Sequence, residues 1–329
     1  MPEPLIEFDE WGEMVGVKRA PRNIAHRLIE EFMLAANEAV AAHLETLGVP
    51  SIYRIHEQPN PQRVLEFEQI AAHFGYSLGI GALPAKRFPV LERKRDGRKV
   101  RKDVVVLNQD IGITSRNYQK LVAKIEGKPE ERILTYLMLR SLKQARYSEK
   151  NSGHFALAAK TYTHFTSPIR RYPDLMVHRV LKACLDARPP QWDENALHSI
   201  AADSSESERR AAEAERELVE WKKAKFMVER VGEEFNGLII STTKFGFFVE
   251  LEDLFVEGLV LIDSLPGDRF RYNENSRQII GERSRRTFSI GDRVRVLLDR
   301  VDETEKKLVF SLVPEVRPSK RGGRARPRA

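Results

Sequence analysis

The chain carries one cysteine, Cys184, in 329 residues. A single thiol excludes an intrachain disulfide framework and a cysteine-built zinc site. Cys184 sits in the apolar run VLKACL, where it reads as core packing. No apolar stretch approaches the roughly 20 residues that a membrane-spanning helix needs. The opening residues MPEPLIEFDEW lack the order of a signal peptide, which places a charged region before an apolar one. These absences lead to the expectation of a soluble, cytoplasmic protein. No internal repeat is present, which argues against a solenoid.

What is present is enough apolar residue for real cores, at 41%, with 31% charged residues to solvate the surface. The length predicts about two or three domains. The formal net charge is +7, but it is unevenly held. Residues 316–329, VRPSKRGGRARPRA, contain six Lys/Arg and no acid, so the remainder is nearly neutral at +1. Rich in Gly and Pro, this tail is expected to be disordered. Arg317, Lys320 and Arg321 begin a run that would attract phosphate backbones without reading their sequence. A purely solubilising end is the plainer alternative. A second basic run, ERKRDGRKVRK at 92–102, has seven cations against two acids. Its DGRK can turn a hairpin between LERKR and KVRKDVVVL. A solvated hairpin and a nucleic-acid contact are equally compatible with it.

Periodicity organises the rest. LIEFDEWGEMVGVKRA at 5–20 reads as strand, turn and strand. From Asn23 to Leu47, Ile24, Leu28, Phe32 and Ala35 recur at helical spacing, and Gly48 ends the helix. Residues 61–74, 115–126 and 129–147 read as three more helices. Another starts at Ser167 and runs to about Ala187. ARPPQW is a break, and 194–230 form one or two charged helices. At Gly232 the character changes to short strands. EEFNGLIISTTKFGFFVELEDLFVEGLVLI has turns at Thr242-Thr243 and Glu252-Asp253, and DRVRVLLDRVDETEKKLVFSL adds two strands. Five strands in about 80 residues predict a small antiparallel barrel. The domain boundary is placed near 231.

Two stretches carry candidate chemistry. The first is HFTSPIRRYPDLMVHR, His164 to Arg179. Thr166 and Ser167 are good N-cap residues, and Pro168 suits a first helical position. Arg170 then falls in the first turn, at the end of a helix that already favours anions. Acids are the usual residues there, so arginine points to an external negative group. The plainer alternative is an arginine that meets solvent or a carboxylate. Asp174 and His178, four apart, can pair along the helix as structural support. The second stretch is KFGFFVEL. Strand alternation puts Phe245 and Phe247 on one face and Phe248 on the other. One face is core, and the other can stack bases.

The order and spacing of RNIAHRLIEEFMLAANEAVAAHL, LRSLKQARYSEKNSGHFALA and YTHFTSPIRRYPDLMVHR resemble the catalytic (RNB) domain of the RNase II/RNase R family. Residues 232–314 resemble an S1-type RNA-binding domain, an OB-fold barrel. A barrel followed by a basic tail is the order of the family's RNase R branch. The resemblance covers essentially the whole chain except the basic run near 92–106, which looks like an insertion. It implies an α+β protein. Residues 1–231 would be a partial, largely helical RNB-type domain, 232–315 a five-stranded S1 barrel and 316–329 the tail. The implied activity is processive 3′-to-5′ degradation of single-stranded RNA to nucleoside 5′-monophosphates, with Mg²⁺ ions held by acidic residues. Arg170 matches the arginine at the cleaved phosphate, with Arg171 beside it. Glu30 matches a glutamate near the 3′-terminal nucleotide, and Glu215 an acid near the channel. Phe245, Phe248, Phe270 and Tyr272 match the barrel's RNA face.

The sequence departs from the family in two places. After EGLV, where S1 domains commonly have histidine, stands Leu261. The family's cluster of metal-binding aspartates upstream of LIEEF has no counterpart, since only Asp9 precedes Glu30. Asp96, Asp103, Asp110 and Asp174 follow singly. The chain therefore reads as the C-terminal part of such an enzyme, whether a truncated product, a fragment or one half of a split enzyme. It is expected to be inactive alone, with a complementary N-terminal half among its candidate partners. A non-catalytic RNA-binding protein working through barrel and tail is the alternative, and a scaffold that kept only the fold is the third reading.

Overall fold

The computed structural model describes residues 4–19, 21, 23–80, 112–128, 130–189, 191–274, 276–302 and 304–313, with 85–93 and 99–107 described as backbone. It divides the chain into two compact units. One is Pro21–Ala214 with Met1, and the other is Pro2–Ala20 with Glu215–Ala329.

The chain opens with the expected hairpin, β1 (Pro4–Phe8) paired antiparallel with β2 (Met14–Arg19). Asp9 Oδ1 accepts the N–H groups of Trp11 and Glu13 and closes the turn.

The first unit begins with α1 (Ile24–Thr46). Asn23 caps it, its side chain accepting the His26 N–H at 3.1 Å while His26 Nδ1 accepts the Asn23 N–H. Gly48, at φ +63°, ends it, as its freedom in the left-handed region allows. β3 (Tyr53–Ile55), α2 (Pro61–His73) and the antiparallel pair β4 (Ala85–Arg93) and β5 (Lys99–Leu107) follow. That pair is the hairpin expected around the second basic run. Next come α3 (Ser115–Ile125) and α4 (Glu131–Ser141). Val64, Phe67, Tyr118, Leu121, Ile125, Ile133 and Leu134 of α2, α3 and α4 are buried, with Phe67 stacked on Tyr118. α4 is shorter than the helix expected over 129–147. Leu142 turns extended, and β6 (Arg146–Ser148) pairs with β3 instead. The sheet partner and the Ser205 hydroxyl, which accepts the Tyr147 N–H, override the helical pattern there.

α5 (Tyr172–Leu185) ends at Ala187, which is left-handed. It packs Met176, Val177 and Val180 against Leu44, Ile52, Tyr147, Leu197 and Ala201. Cys184 lies partly buried at the edge of this core. The charged stretch 194–230 forms one helix, α6 (Glu194–Val228), and the division between units falls within it. Among the described residues, no helix is long and apolar enough to cross a membrane.

The second unit is built on a closed five-stranded barrel. It is made by β7 (Glu234–Thr243), β8 (Gly246–Leu251), β9 (Glu257–Leu261), β13 (Arg293–Asp302) and β14 (Lys307–Leu312), in the order β13-β14-β9-β8-β7. All neighbours are antiparallel except β14 and β9. A three-stranded sheet of β10 (Phe270–Asn273), β11 (Gln278–Gly281) and β12 (Thr287–Phe288) is inserted between β9 and β13. Phe247, Val249, Val260, Val296, Leu298 and Phe310 fill the core. Gly258 of the EGLV run has a packing reason: a Cβ there would lie 2.2 Å from the Phe310 ring.

Candidate functional site

The run from Phe165 to Tyr172 is a pinned turn that precedes a helix. Tyr172 is the first helical residue of α5, and Pro173, not Pro168, occupies its first turn. The reading of Ser167 as the helix start is corrected accordingly. Asp174 reorganises the backbone: its Oδ2 accepts the Ser167 N–H at 2.8 Å and the Arg171 guanidinium at 2.8 Å. The Ser167 carbonyl in turn accepts the N–H groups of Arg170 and Arg171. Asp174 is fully buried and Arg171 mostly so, which makes this a shielded ion pair. Asp174 and His178 do not pair. His178 Nε2 donates to the Phe165 carbonyl at 2.8 Å, and its ring stacks on Phe165 at 3.9 Å.

Asn37 of α1 holds the other end of the turn. It is buried, and its Oδ1 accepts the N–H groups of Phe165 and Thr166 at 2.9 and 3.3 Å. Its Nδ2 donates to the Tyr162 hydroxyl at 2.9 Å. Beneath lies a group of neutral rings. The Tyr147 hydroxyl donates to His164 Nδ1 at 2.9 Å, and Tyr162 meets His164 and His154 edge-on. Burial, followed by the charges of Arg171 and Arg54, pushes His164 down to about 3. Burial, then His56 and Arg54, pushes His154 down to about 4. Burial raises Tyr147 to about 12. The rings therefore act as uncharged packing at neutral pH. The Arg54 guanidinium lies 4.6 Å above the Tyr147 ring and makes two bonds to Glu208, at 2.6 and 3.0 Å.

This scaffold carries Ile169 and Arg170, which are exposed at the apex. Arg170 Nε donates to the Ser167 hydroxyl at 2.8 Å. That bond fixes the root of the guanidinium. Its two terminal nitrogens meet no acceptor among the described residues. Arg171 Nε and the Thr166 hydroxyl are buried without a partner in the same turn. The turn thus presents one planar cation outward and holds donor capacity in reserve.

The other expected residues are distributed more widely. Glu30 is exposed on α1 in the first unit, whereas Glu215 is exposed on α6 in the second. Among the described residues, no group of three or more His, Cys, Asp or Glu could hold a metal ion. The donor set that Mg²⁺ requires is therefore not met by these residues. Arg317, Lys320 and Arg321 lie outside the described residues.

In the barrel the three phenylalanines take three environments. Phe247 is 0% exposed and stacks on Phe288. Phe248, on the opposite face of β8, is 36% exposed. Phe245, at 63%, lies in the turn Lys244–Phe245, not on the strand, with Lys244 Nζ 4.8 Å from its ring centre. Strand alternation therefore does not govern Phe245, and Thr242 and Thr243 belong to β7. Phe270 lies on β10, 8% exposed against Phe288, so little of its ring is left for stacking. Tyr272 is half-buried against the same core. Leu261, 41% exposed at the end of β9, is paired with Gly246 and keeps an apolar surface where the family's histidine would stand. Beside Phe248 a cavity of about 580 Å³ is lined by Lys223, Leu259, Lys306, Lys307 and Val309. Its lysines are engaged: Lys223 with the Phe255 carbonyl, Lys306 with Glu217 and Lys307 with Glu305.

Asn37, Tyr147, Tyr162 and Arg54 were not singled out by sequence. Their partners lie up to 154 residues away, and no local pattern marks such contacts.

Comparison with known proteins finds two domain models along the chain. The RNB domain model matches residues 1–187, and the S1 RNA binding domain model matches 229–312. Ribonuclease R 1 of Lactococcus lactis is 43% identical over 317 residues, which are 95% of this chain and 35% of that protein. Among solved structures, the apo form of Mycoplasma genitalium RNase R has a TM-score of 0.79 at 26% identity, covering 95% of this chain and 45% of that one. The same RNase R in complex with ribose-methylated single-stranded RNA matches equally well, with the same coverage. The chain thus spans between a third and a half of the length of these relatives. With a matched RNB region over more than half its residues and an S1 domain after it, the chain belongs to the RNB family of ribonucleases.

Proposed function

We propose that this chain supplies the phosphate-gripping and RNA-holding part of a 3′-to-5′ exoribonuclease that releases nucleoside 5′-monophosphates. The observation that carries this reading is Arg170, raised on a turn pinned from both ends with its terminal nitrogens turned to solvent. A guanidinium fixed in this way can contact two phosphoryl oxygens and neutralise charge that builds on them. Glu30 is proposed as the acid near the terminal nucleotide, and Glu215, in the other unit, as a separate acidic contact with the RNA. Phe245 and Phe248 offer stacking surface for bases further along the strand. The RNA complex of the M. genitalium relative supports single-stranded RNA as the ligand.

RNB ribonucleases are metal-dependent, and the residues described here do not form the metal site. We therefore propose that this chain alone binds RNA without hydrolysing it. The acidic residues, and with them Mg²⁺, would come from a further polypeptide segment, in keeping with relatives that are about two to three times as long as this chain. α1 offers a face for that segment. Ile24, Leu28, Ile29 and Phe32 are 56–80% exposed and lie on one arc of the helix, opposite His26, Arg27 and Glu30.

The test uses the purified chain, labelled single-stranded RNA and Mg²⁺, with and without a polypeptide carrying the acidic N-terminal part of an RNB domain. The expected result is binding without mononucleotide release by the chain alone. Release should appear on complementation and be abolished by Arg170→Ala. Phe32→Asp should block complementation while leaving RNA binding intact. Metal-dependent release by the chain alone would overturn the proposal.

A further inference from the structure

The turn between β11 and β12, ERSRR at 282–286, has no part in the function proposed above. Like the turn that carries Arg170, it is pinned by an aspartate. Asp268 Oδ2 accepts the Arg283 N–H at 2.9 Å, the Ser284 N–H at 2.6 Å and the Ser284 hydroxyl at 2.7 Å. Its Oδ1 accepts the Arg269 N–H at 2.7 Å. The Ser284 hydroxyl oxygen accepts the Arg286 N–H at 3.2 Å, and the Arg269 carbonyl accepts the Glu282 N–H at 2.9 Å. Gly281 leaves room for this arrangement, since a Cβ there would lie 2.5 Å from the Ser284 hydroxyl oxygen and 2.6 Å from Asp268 Oδ2. Arg285 is held at φ +57°, a left-handed conformation uncommon for a residue with a side chain.

These bonds separate the local charges. Arg269, Arg283, Arg285 and Arg286 are all exposed. The two acids beside them are engaged: Asp268 by the N–H and O–H groups of the turn, and Glu282 by Arg271. Among the described residues, none of the four exposed guanidiniums forms an ion pair. The Arg286 guanidinium lies 4.9 Å above the ring of Phe288, which itself stacks on Phe247 in the barrel core. A turn that served only solubility could mix signs, and glycine would take the place of Arg285 without strain. One small anion needs no more than one or two guanidinium forks. Four on a fixed turn whose carboxylates are already satisfied suit successive phosphates of an extended strand.

We propose that the β11–β12 turn, through Arg283, Arg285 and Arg286 with Arg269 beside them, is an additional contact for the RNA phosphate backbone that does not read base sequence. The proposal rests on RNA as the chain's ligand, and its test keeps the two separable. The full chain is titrated in EDTA with a labelled single-stranded oligoribonucleotide between about 50 and 500 mM salt, values of the order at which such contacts are read. Arg283→Gln/Arg285→Gln/Arg286→Gln should lower the slope of log K against log salt by about 2 and weaken binding about tenfold at low salt. Adding Arg269→Gln should lower the slope by about 0.7 more. Arg283→Gln/Arg285→Gln keeps the Arg286 contact with Phe288, and with it the barrel, and should still lower the slope by about 1.4. The corresponding triple lysine variant should keep the parental slope, because its charge is unchanged. Parental affinity and slope in the glutamine variants, with binding still weakened in Phe245→Ala/Phe248→Ala, would overturn the contact and leave the RNA reading standing. A lysine variant with a slope as low as the glutamine variant's would also overturn it. A parent chain that binds no RNA would remove both.

Discussion

The pinned turn of the first unit and the aromatic surface of the second present their candidate residues by opposite means. Arg170 stands on hydrogen bonds: Asp174, Asn37 and the Ser167 carbonyl fix six backbone N–H groups or side chains around it. Phe248 stands on packing beside Phe247, which fills the barrel. Phe245 stands on a short turn in which the Thr243 hydroxyl accepts its N–H and its carbonyl accepts the Ile262 N–H. Neither ring itself is fixed by a buried polar network among the described residues. A buried polar network fixes one geometry, because each unpaired group is costly. An apolar core fixes a surface but leaves the residues on it free to adapt. The first arrangement suits a contact with one phosphate, and the second suits bases of any identity.

The largest expected effect tests that contrast within each unit. Asp174→Ala strips the partner from a buried Arg171 and should cost about 3–5 kcal/mol. Phe247→Ala opens a cavity and should cost about 3–5 kcal/mol. Urea titration followed by hydrogen exchange should show the first loss in residues 21–214 and the second in the barrel. A single transition shifted equally by both variants would break the distinction.

Protonation separates the units more cleanly. All eight histidines lie between residues 26 and 198, so the second unit has none. His164 and His154 are held neutral in the fold at about 3 and 4, below the unfolded value of 6.5. The unfolded chain therefore binds protons first as pH falls through 6.5, and the first unit loses stability from there downward. Each histidine contributes at most about 1.4 kcal/mol per pH unit, His154 until about pH 4 and His164 until about pH 3. Between pH 6.5 and 4.5 the barrel should be nearly unaffected. There, hydrogen bonds from Ser284 and the N–H groups around it hold Asp268 down to about 2. Thermal unfolding of the two units across this range checks the prediction, and His164→Gln should flatten the slope of the first.

Much of this was legible in the sequence. The barrel strands follow from alternation because one face of each is buried. The opening hairpin and the spacing of Ile24, Leu28 and Phe32 in α1 were legible although those residues are largely exposed. The approximate place of Arg170 was legible too. Its support was not. Ser167, Thr166 and Pro168 have the local chemistry of a helix start, but Asp174 reaches back to the Ser167 N–H and delays the helix to Tyr172. The 129–147 helix failed for a related reason, since Tyr147 is claimed by β3 and Ser205. Phe245 illustrates the limit of periodicity: one residue of turn removes it from the strand's alternation. Only for Tyr147 does a contact distant in sequence decide; Asp174 reaches back seven residues, and Phe245 is removed by a local turn.

Smaller effects sharpen the barrel's side of the contrast. Phe245→Ala and Phe248→Ala should each weaken RNA binding by about 1–3 kcal/mol. Both side chains are at the surface, so stability should change by no more than about 0.5 kcal/mol. Phe270→Ala should do the reverse, destabilising the barrel while changing binding only through that loss. Binding titrations paired with thermal melts separate these outcomes. Equal losses of binding and stability in all three variants would mean that the exposed rings hold the fold and do not contact RNA.

The effect that depends most on salt belongs to the basic tail. Deleting 316–329 removes six cations and no acid. A phosphate contact by each would lower the salt slope for single-stranded RNA by about 4 in total, and fewer contacts by proportionately less. The affinity change should fade as salt rises, because released counterions, not shaped contacts, drive this term. The phenylalanine variants should show the opposite pattern, a loss that persists at high salt. A tail deletion that leaves the slope unchanged would assign the tail to solubility, and the salt dependence would then have to come from cations of the two folded units.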